Sequence, residues 1–579
     1  MDRTAWVAVI LCVIGLALWE WWTISHTPPR PSTIAASPPP VSSTPSTLAS
    51  ATAAPLASPL PGLTATPPPS VAVPSFPLKT ETLSNGDVEL HFTNRGGGIS
   101  EAVLPKHRAE NDKLVVLNSP EHLPIGAIVD NPAAPVLTEY ELTREGDAIQ
   151  LKQTTADNVT IRKKFFFPKA ETKDNYIVEL DIDLTNGGTK PYANPGYFLG
   201  LGSAAPIHAN DYPSYQRLAW CIDGKGKGVD VGWFTGSGGF LGLGQRAARP
   251  FYQENIPGPG AEWAAVCNQF FTTLVAPLTT KANSVWGRRF EIDLSPTQKV
   301  GGIEGAMGMP GFELQPSQTS SARFQMWIGP KLYNRLARLE HNEAEVMNFG
   351  IFKLVSQFLL NFMNLLHDWL GNYGAAILAL TTIIRIVLWP LQSKANQSMR
   401  KTAVLAPKMQ ELREKYKDDP TKMNQEVMKL YKTYGINPVG GCLPMLIQIP
   451  IFFGLYQMLG QAVELRGQRF LWWVKDLSQP DTVGHLPVIG WPINIIPICM
   501  AATQVWLMAM TPKTGDATQR RVMMFTPLIF LFICYNFASA LALYYTAQNL
   551  FSILQFYQNK RQPMPTLEKV APPGKQKRR

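Results

Sequence analysis

Charge is thin in this chain, and the places where it is missing restrict what the protein can do. Charged residues make up 17% of the 579 and hydrophobic ones 45%, where a soluble domain carries about 25% charge. No acidic residue stands at the centre of any of the five apolar segments in the C-terminal half, although a proton- or cation-coupled transporter commonly has one there. Cysteines are also few: Cys12, Cys221, Cys267, Cys442, Cys499 and Cys534. Four lie in apolar segments and none forms a CxxC, which argues against a metal site. Cys221 and Cys267 could pair outside the membrane or stay as two buried thiols, the plainer reading. There is no helix-turn-helix, zinc-finger or RNA-binding pattern, so DNA is not an expected partner. Nothing resembles a nucleophile with its base, a metal cluster or a phosphate loop. An enzyme is therefore the least favoured class, and no cofactor is implied.

The absences also mark domain borders. Between Arg30 and Lys79 there is no Lys, Arg, Asp or Glu. Residues 27–77 are Pro, Ser, Thr and Ala with too little large apolar surface to offset chain entropy, so they are expected to be a disordered linker. Ahead of it, residues 5–22 form an apolar run of spanning length. Trp19, Glu20, Trp21 and Trp22 stand where a signal peptide would be cleaved, and Leu11 before Cys12 does not suit lipoprotein processing. Residues 1–26 are expected to be a retained membrane anchor with its N-terminus in the cytoplasm.

Residues 78–330 alternate apolar and polar positions: Val88, Leu90 and Phe92; Tyr176, Val178, Leu180, Ile182 and Leu184; Phe290, Ile292 and Leu294. A period of two predicts antiparallel strands with one wet face. Turn-rich stretches at 94–98 and 186–188 separate them. The whole is expected to be a large antiparallel β-sandwich. After Lys331 the spacing becomes helical. Phe352, Val355, Phe358, Leu359, Phe362, Leu365, Leu366 and Trp369 recur at three- and four-residue steps, predicting an amphipathic interfacial helix within 331–371.

The remainder, 372–560, reads as an α-helical membrane bundle with spans at about 372–391, 439–460, 487–510, 522–537 and 539–557; the break at 536–539 divides the last two. With the N-terminal helix this makes six spans. Ten Lys and Arg crowd the 392–438 loop, and Lys513, Arg520, Arg521 and the tail 561–579 are also basic, whereas the 461–486 loop is balanced. Placing the basic loops in the cytoplasm satisfies the positive-inside rule and puts the β-domain outside. The basic excess points to anionic lipids or a ribosome as partner. Within 392–435, Asp419-Pro420 reads as a helix start and Gly435 as a stop. Met409, Leu412 and Tyr416 face Met423, Val427, Leu430 and Tyr434 as a cytoplasmic helical hairpin.

Arg385 is the sharpest residue. A cation in the middle of a span costs about 2.5–3.5 kcal/mol on insertion scales. Thr381 and Thr382 share its helix face, Gln448 interrupts another span, and Tyr545, Gln548, Asn549 and Ser552 recur on one face of the last. Two readings stay open: a shared polar groove, or a snorkelling arginine with ordinary interhelical hydrogen bonds.

Four blocks carry a resemblance: TIIRIVLWPLQSKANQSMRK at 382–401, LAPKMQELREKY at 405–416, NPVGGCLPMLIQIPIFFGLYQML at 437–459 and ALYYTAQNLFSILQ at 542–555. In these the chain resembles the YidC/Oxa/Alb insertase family in its Gram-negative form, over about 325–560. FASALALYY, with Ala538 and Ala540, departs from the family's Pro- and Gly-containing pattern there. The resemblance implies a multi-pass protein of the inner membrane with a periplasmic β-domain and cytoplasmic termini. It implies insertion of nascent membrane proteins through a hydrophilic groove open to cytoplasm and lipid, alone or with the Sec translocon. Arg385, Thr381, Thr382, Gln448, Tyr544, Tyr545, Gln548, Asn549 and Ser552 would form the substrate groove, and Lys575, Lys577, Arg578 and Arg579 of the tail would contact the ribosome. The competing readings are a small-solute transporter or channel and a membrane-anchored sugar-binding protein.

Overall fold

The computed structural model describes residues 75–168, 174–236, 246–295, 298–417, 419–436, 443–487, 490–510 and 517–561. The expected anchor helix, nearly all of the linker and the basic tail from 562 lie outside these residues.

The alternating stretches form strands. Val88, Leu90, Phe92, Val178, Leu180 and Ile182 all turn inward with no exposed surface, as a period of two on a half-buried sheet requires. The largest sheet has nine antiparallel strands. In order they are Lys225–Asp230, Arg217–Ile222, Trp263–Cys267, Phe271–Pro277, Thr319–Pro330, Ile177–Asn186, Val159–Phe166, Ala148–Thr154 and Glu141–Glu145. A second sheet runs Tyr252–Asn255, Ser284–Ser295, Gln298–Leu314, Tyr192–Ala204 and Ile128–Val129. Thr80–Ser84, Glu89–Thr93, Gly98–Arg108 and Leu114–Leu117 make a four-stranded meander. Trp220, Trp263, Trp286 and Trp327 are fully buried in this domain, and such rings dominate the apolar area removed from water.

Cys221 and Cys267 are both buried free thiols. They lie on neighbouring strands, but Cys221 pairs in register with Trp263 and Cys267 with Arg217. Four residues of offset is about 13 Å along a strand, beyond the reach of a disulfide.

Lys163 is one of several buried polar residues of the sandwich. Lys163 stands opposite Ile182 in the ladder with 0% of its surface exposed. Its ammonium donates to the carbonyls of Gly96 at 3.0 Å and Gly126 at 3.1 Å and lies 4.4 Å from the centre of the Tyr140 ring. Gly126 holds φ at +80°, and a Cβ there would meet Phe165 at 2.8 Å, so only glycine brings that carbonyl to the lysine. With carbonyls rather than a carboxylate opposite it, burial pulls the Lys163 pKa well below the ordinary lysine range. The unfolded chain then binds the extra proton between the folded value and about 10.5, so stability rises with pH toward 10.5 and falls as pH drops through the folded value. Thermal unfolding of the full chain in detergent, followed by tryptophan emission, is expected to show this slope, and Lys163→Met is expected to flatten it.

The helices continue from the sandwich without a gap in the core. One buried apolar cluster includes Trp327, Leu336, Phe349, Leu360, Met363, Leu455 and Met458. Across it Lys331 Nζ donates to Gln461 Oε1 at 3.4 Å and Gln269 Nε2 to the Gly460 carbonyl at 2.8 Å. Helix α1, Lys353–Leu370, is apolar on more than one side. Leu359, Leu360 and Met363 are buried, while Leu354, Phe358, Leu365 and Trp369 are exposed. Gly371, at φ +66°, ends it.

Helix α2 runs Tyr373–Lys415 without interruption. Sequence patterning placed a span at 372–391 and a separate hairpin helix after it. The helix instead carries on through Pro390 and Pro407, since proline removes one hydrogen bond and bends a helix without having to end it. At 1.5 Å per residue it is about 65 Å long. Asp419 caps α3, Pro420–Thr433, by accepting the Lys422 N–H at 3.0 Å, and Gly435 at φ +59° follows it. Tyr431 and Tyr434 of this second arm meet Met409 and Lys408 of the first, at 3.4 and 2.6 Å.

Helices α4, Leu443–Gln461, α5, Ile495–Met510, α6, Ala517–Cys534, and α7, Ser539–Lys560, complete the chain. Helix α5 starts well inside the expected 487–510. Pro492–Asn494 pairs with Thr482–His485 as a small hairpin, because Gly490 holds φ at +68° and Pro492 disfavours helical backbone at the residue before it. Asp481 Oδ2 accepts the N–H groups of Ile495 and Ile496 at 3.1 and 2.8 Å, satisfying two of the donors a helix start leaves open. The turn between α6 and α7 falls at 535–538. Among the described residues, α2 is the one helix long and apolar enough to cross a membrane by length and composition.

Candidate functional site

Arg385 lies midway along the apolar part of α2 and is half-buried. Its guanidinium turns toward α7, not along α2 to the helix end. A single nitrogen, Nη2, donates to Ser552 Oγ at 2.8 Å and to the Gln548 carbonyl at 3.2 Å. Ser552 is available because its hydroxyl already sits over the previous turn, donating to that same Gln548 carbonyl at 3.0 Å. The i, i+4 spacing of α7 thus builds a two-oxygen acceptor from one carbonyl and one hydroxyl. Gln448 joins from α4: its Nε2 donates to Tyr544 OH at 3.1 Å and Gln548 Oε1 at 3.2 Å. Three helices therefore meet at Gln548, through its backbone toward α2 and its side chain toward α4.

The remaining expected residues divide. Thr381 is 1% exposed, and its hydroxyl donates to the Ile377 carbonyl at 2.7 Å. Thr382 does the same to Leu378 at 2.7 Å. Both threonines satisfy themselves within α2 and make no hydrogen bond to Arg385, so the shared face does not become a shared network. Tyr545 packs among aromatic rings, with centroids 5.2 Å from Phe452 and 5.5 Å from Phe530. Asn549 faces the other way, donating to Met500 O at 3.3 Å and Thr503 Oγ1 at 3.2 Å on α5. Adjacent residues of a helix stand about 100° apart, so Gln548 and Asn549 serve different neighbours despite being expected on one face. The tail residues Lys575, Lys577, Arg578 and Arg579 lie outside the described residues.

Sequence reading passed over the continuation of this network toward the basic end of α2. Gln555 Nε2 donates to Ser393 Oγ at 3.3 Å and approaches the Trp389 carbonyl at 3.5 Å. Arg400 donates to the Asn559 carbonyl at 2.8 Å, one of the carbonyls a helix end leaves open. Ser552, Gln555 and Asn559 follow steps of three and four, so extending the α7 face by two turns was enough to find them. Together they make a polar seam between α2 and α7, from Arg385 to where the 392–415 arm leaves the bundle.

Comparison with known proteins gives matches over most of the chain. The family model described as the YidC periplasmic domain matches residues 81–362, and the 60Kd inner membrane protein model matches 365–565. A membrane protein insertase YidC of Nitratidesulfovibrio vulgaris (strain DP4) is 31% identical over 96% of this chain and 98% of its own. One of Syntrophus aciditrophicus (strain SB) is 30% identical over 97% and 100%, and one of Geobacter sulfurreducens is 29% identical over 80% and 83%. Matched by family models through both its β-sandwich and its helices, and over 96% and 97% of its length by two of these relatives, the chain belongs to the YidC family of membrane protein insertases, an inner-membrane family with a periplasmic domain.

Proposed function

We propose that this chain inserts nascent membrane proteins by offering their polar segments the seam between α2, α4 and α7 as a path part-way into the bilayer. One observation carries the reading. Arg385 keeps its charge inside the helical bundle, on a carbonyl and a hydroxyl, where a lipid-facing cation would turn to the headgroups. A polar segment that crosses hydrocarbon unaided loses its water. A wet seam shortens that crossing, Arg385 attracts acidic or polar groups by charge, and the client's apolar helix then leaves sideways into lipid under the hydrophobic effect. The chemistry is non-covalent throughout.

The same proposal places the chain in the inner membrane with six spans, its basic loops and tail in the cytoplasm and the sandwich in the periplasm, following the loop charges. Ribosomes and anionic lipids are the partners that suit the basic tail, and the Sec translocon is the partner expected of the family. A photocrosslinking residue at Tyr545 or Gln548 is expected to capture a ribosome-bound nascent chain in membrane vesicles, while one at Asn549, turned to α5, captures little. Equal capture at all three positions, or none at any, would count against the seam as the route.

A further inference from the structure

The first turn of α2 carries a feature that the insertion seam does not use. Helix α1 ends in Trp369 and Leu370, 84% and 50% exposed, just ahead of Asn372. The strap that follows α4 returns to this place. Asn372 Nδ2 donates to the Arg469 carbonyl at 3.0 Å, and Phe470 lies so close to Gly374 that a Cβ there would come within 2.2 Å of its ring. Phe470 N–H then bonds the Val474 carbonyl at 3.0 Å, closing a tight turn. Leu471 adopts φ +55° within it, a left-handed conformation that non-glycine residues seldom take. The turn points Leu471 and Trp472 outward, 44% and 88% exposed. Trp473 beside them is tied inward, its Nε1–H on Asp481 Oδ2 at 3.1 Å.

Two outward tryptophans, each beside an outward leucine, therefore ring the entry of the helix that is long and apolar enough to cross a membrane. Arg469 and Lys475 are exposed on the same strap. Indole combines a large apolar body with one N–H donor and is enriched where hydrocarbon gives way to headgroups. Exposed cations beside it suit phosphate oxygens.

We propose that Trp369, Leu370, Leu471 and Trp472 form a docking surface for the phospholipid interface of the leaflet on the β-sandwich side. The inference rests on reading α2 as a membrane span. The strap also holds the sandwich, since Arg466 donates to the Arg108 carbonyl at 2.7 Å and stacks over Phe270 and Phe271 at 5.2 and 5.1 Å.

The test uses the full chain in phosphatidylethanolamine and phosphatidylglycerol vesicles, with an encoded fluorescent amino acid at Trp472 or Trp369. Reference labels sit at Phe532 on α6 and Val136 on the sandwich, both strongly exposed. With a headgroup-proximal spin-labelled lipid, the Trp472 and Trp369 labels are expected to lose about half their emission, as interfacial side chains should. A chain-end spin label should quench Phe532 more, and Val136 should respond only to aqueous iodide. If Trp472 and Trp369 respond like Val136 while Phe532 still responds to lipid, the docking surface is refuted and the span stands. If Phe532 also ignores the lipid quenchers, the spanning reading falls and the proposal with it.

Discussion

Arg385→Ala is expected to reduce insertion of clients with acidic translocated segments by about tenfold, equivalent to ~1.4 kcal/mol, and to leave clients with uncharged segments much less affected. Reconstituted vesicles carrying purified protein and in vitro translated clients give the measurement. The expectation follows from where the charge sits. Its partners are a carbonyl and a hydroxyl, both neutral, so an arriving carboxylate meets a cation that those contacts do not neutralise. Because both contacts come from Nη2, a lysine ammonium can serve the same two oxygens, and Arg385→Lys is expected to keep most of the activity. Arg385→Gln retains polarity without charge and separates the two contributions. If Arg385→Ala treats acidic and neutral clients alike, attraction by charge is not how the seam works.

Replacing 392–435 with a short flexible bridge is expected to abolish insertion while the rest of the chain stays folded. The arm formed by the end of α2 projects about 35 Å beyond Leu391 at 1.5 Å per residue. It is joined to α3 by Tyr431 on Met409 and Tyr434 on Lys408, and none of α3 is buried. Among the described residues of 392–435, Ala395 and Leu405 are buried and Ser393 and Arg400 reach α7, so a loss of packing has to be separated from a loss of client capture. Insertion yield in vesicles, beside thermal unfolding followed by the buried tryptophans of the sandwich, distinguishes the two. Undiminished insertion with the arm removed would exclude it from the client's path.

Much of the fold was legible because local rules govern it. The strand alternation in 78–330, the Asp419-Pro420 start and the turn before α7 each depend on a few neighbouring residues. Those residues carry the pattern in their own spacing or backbone preference. Helix α5 shows where that stops. Apolar content suggested one long helix over 487–510, but Gly490 and Pro492 favoured a hairpin with Thr482–His485, and Asp481 set the helix start at Ile495. The acceptor of that cap, Asp481, lies outside the apolar segment.

The candidate site divides in the same way. A polar residue in an apolar span is conspicuous in sequence, and Arg385, Gln448 and Gln548 stand out on that ground. Which oxygens receive the guanidinium depends on how α2 lies against α7, and no spacing within one helix specifies that. Hence Thr381 proved self-satisfied, Asn549 turned to α5, and Gln555 with Asn559 went unnoticed although their spacing was regular. Lys163 is the extreme case: it shares its strand face with Val159, Ile161 and Phe165, and the oxygens and ring that receive its buried ammonium come from Gly96, Gly126 and Tyr140.

Residue order alone indicates the sheet or helix character of the described regions and the presence of a positive charge in a segment that should avoid one. These follow from periodicity, propensity and solvation, all of which act over a few residues. The folded chain settles where that charge points, which helices share the polar seam, and that the sandwich and the bundle have one continuous core. Those outcomes come from contacts between residues far apart in sequence, whose energies exist only once the helices and sheets have packed.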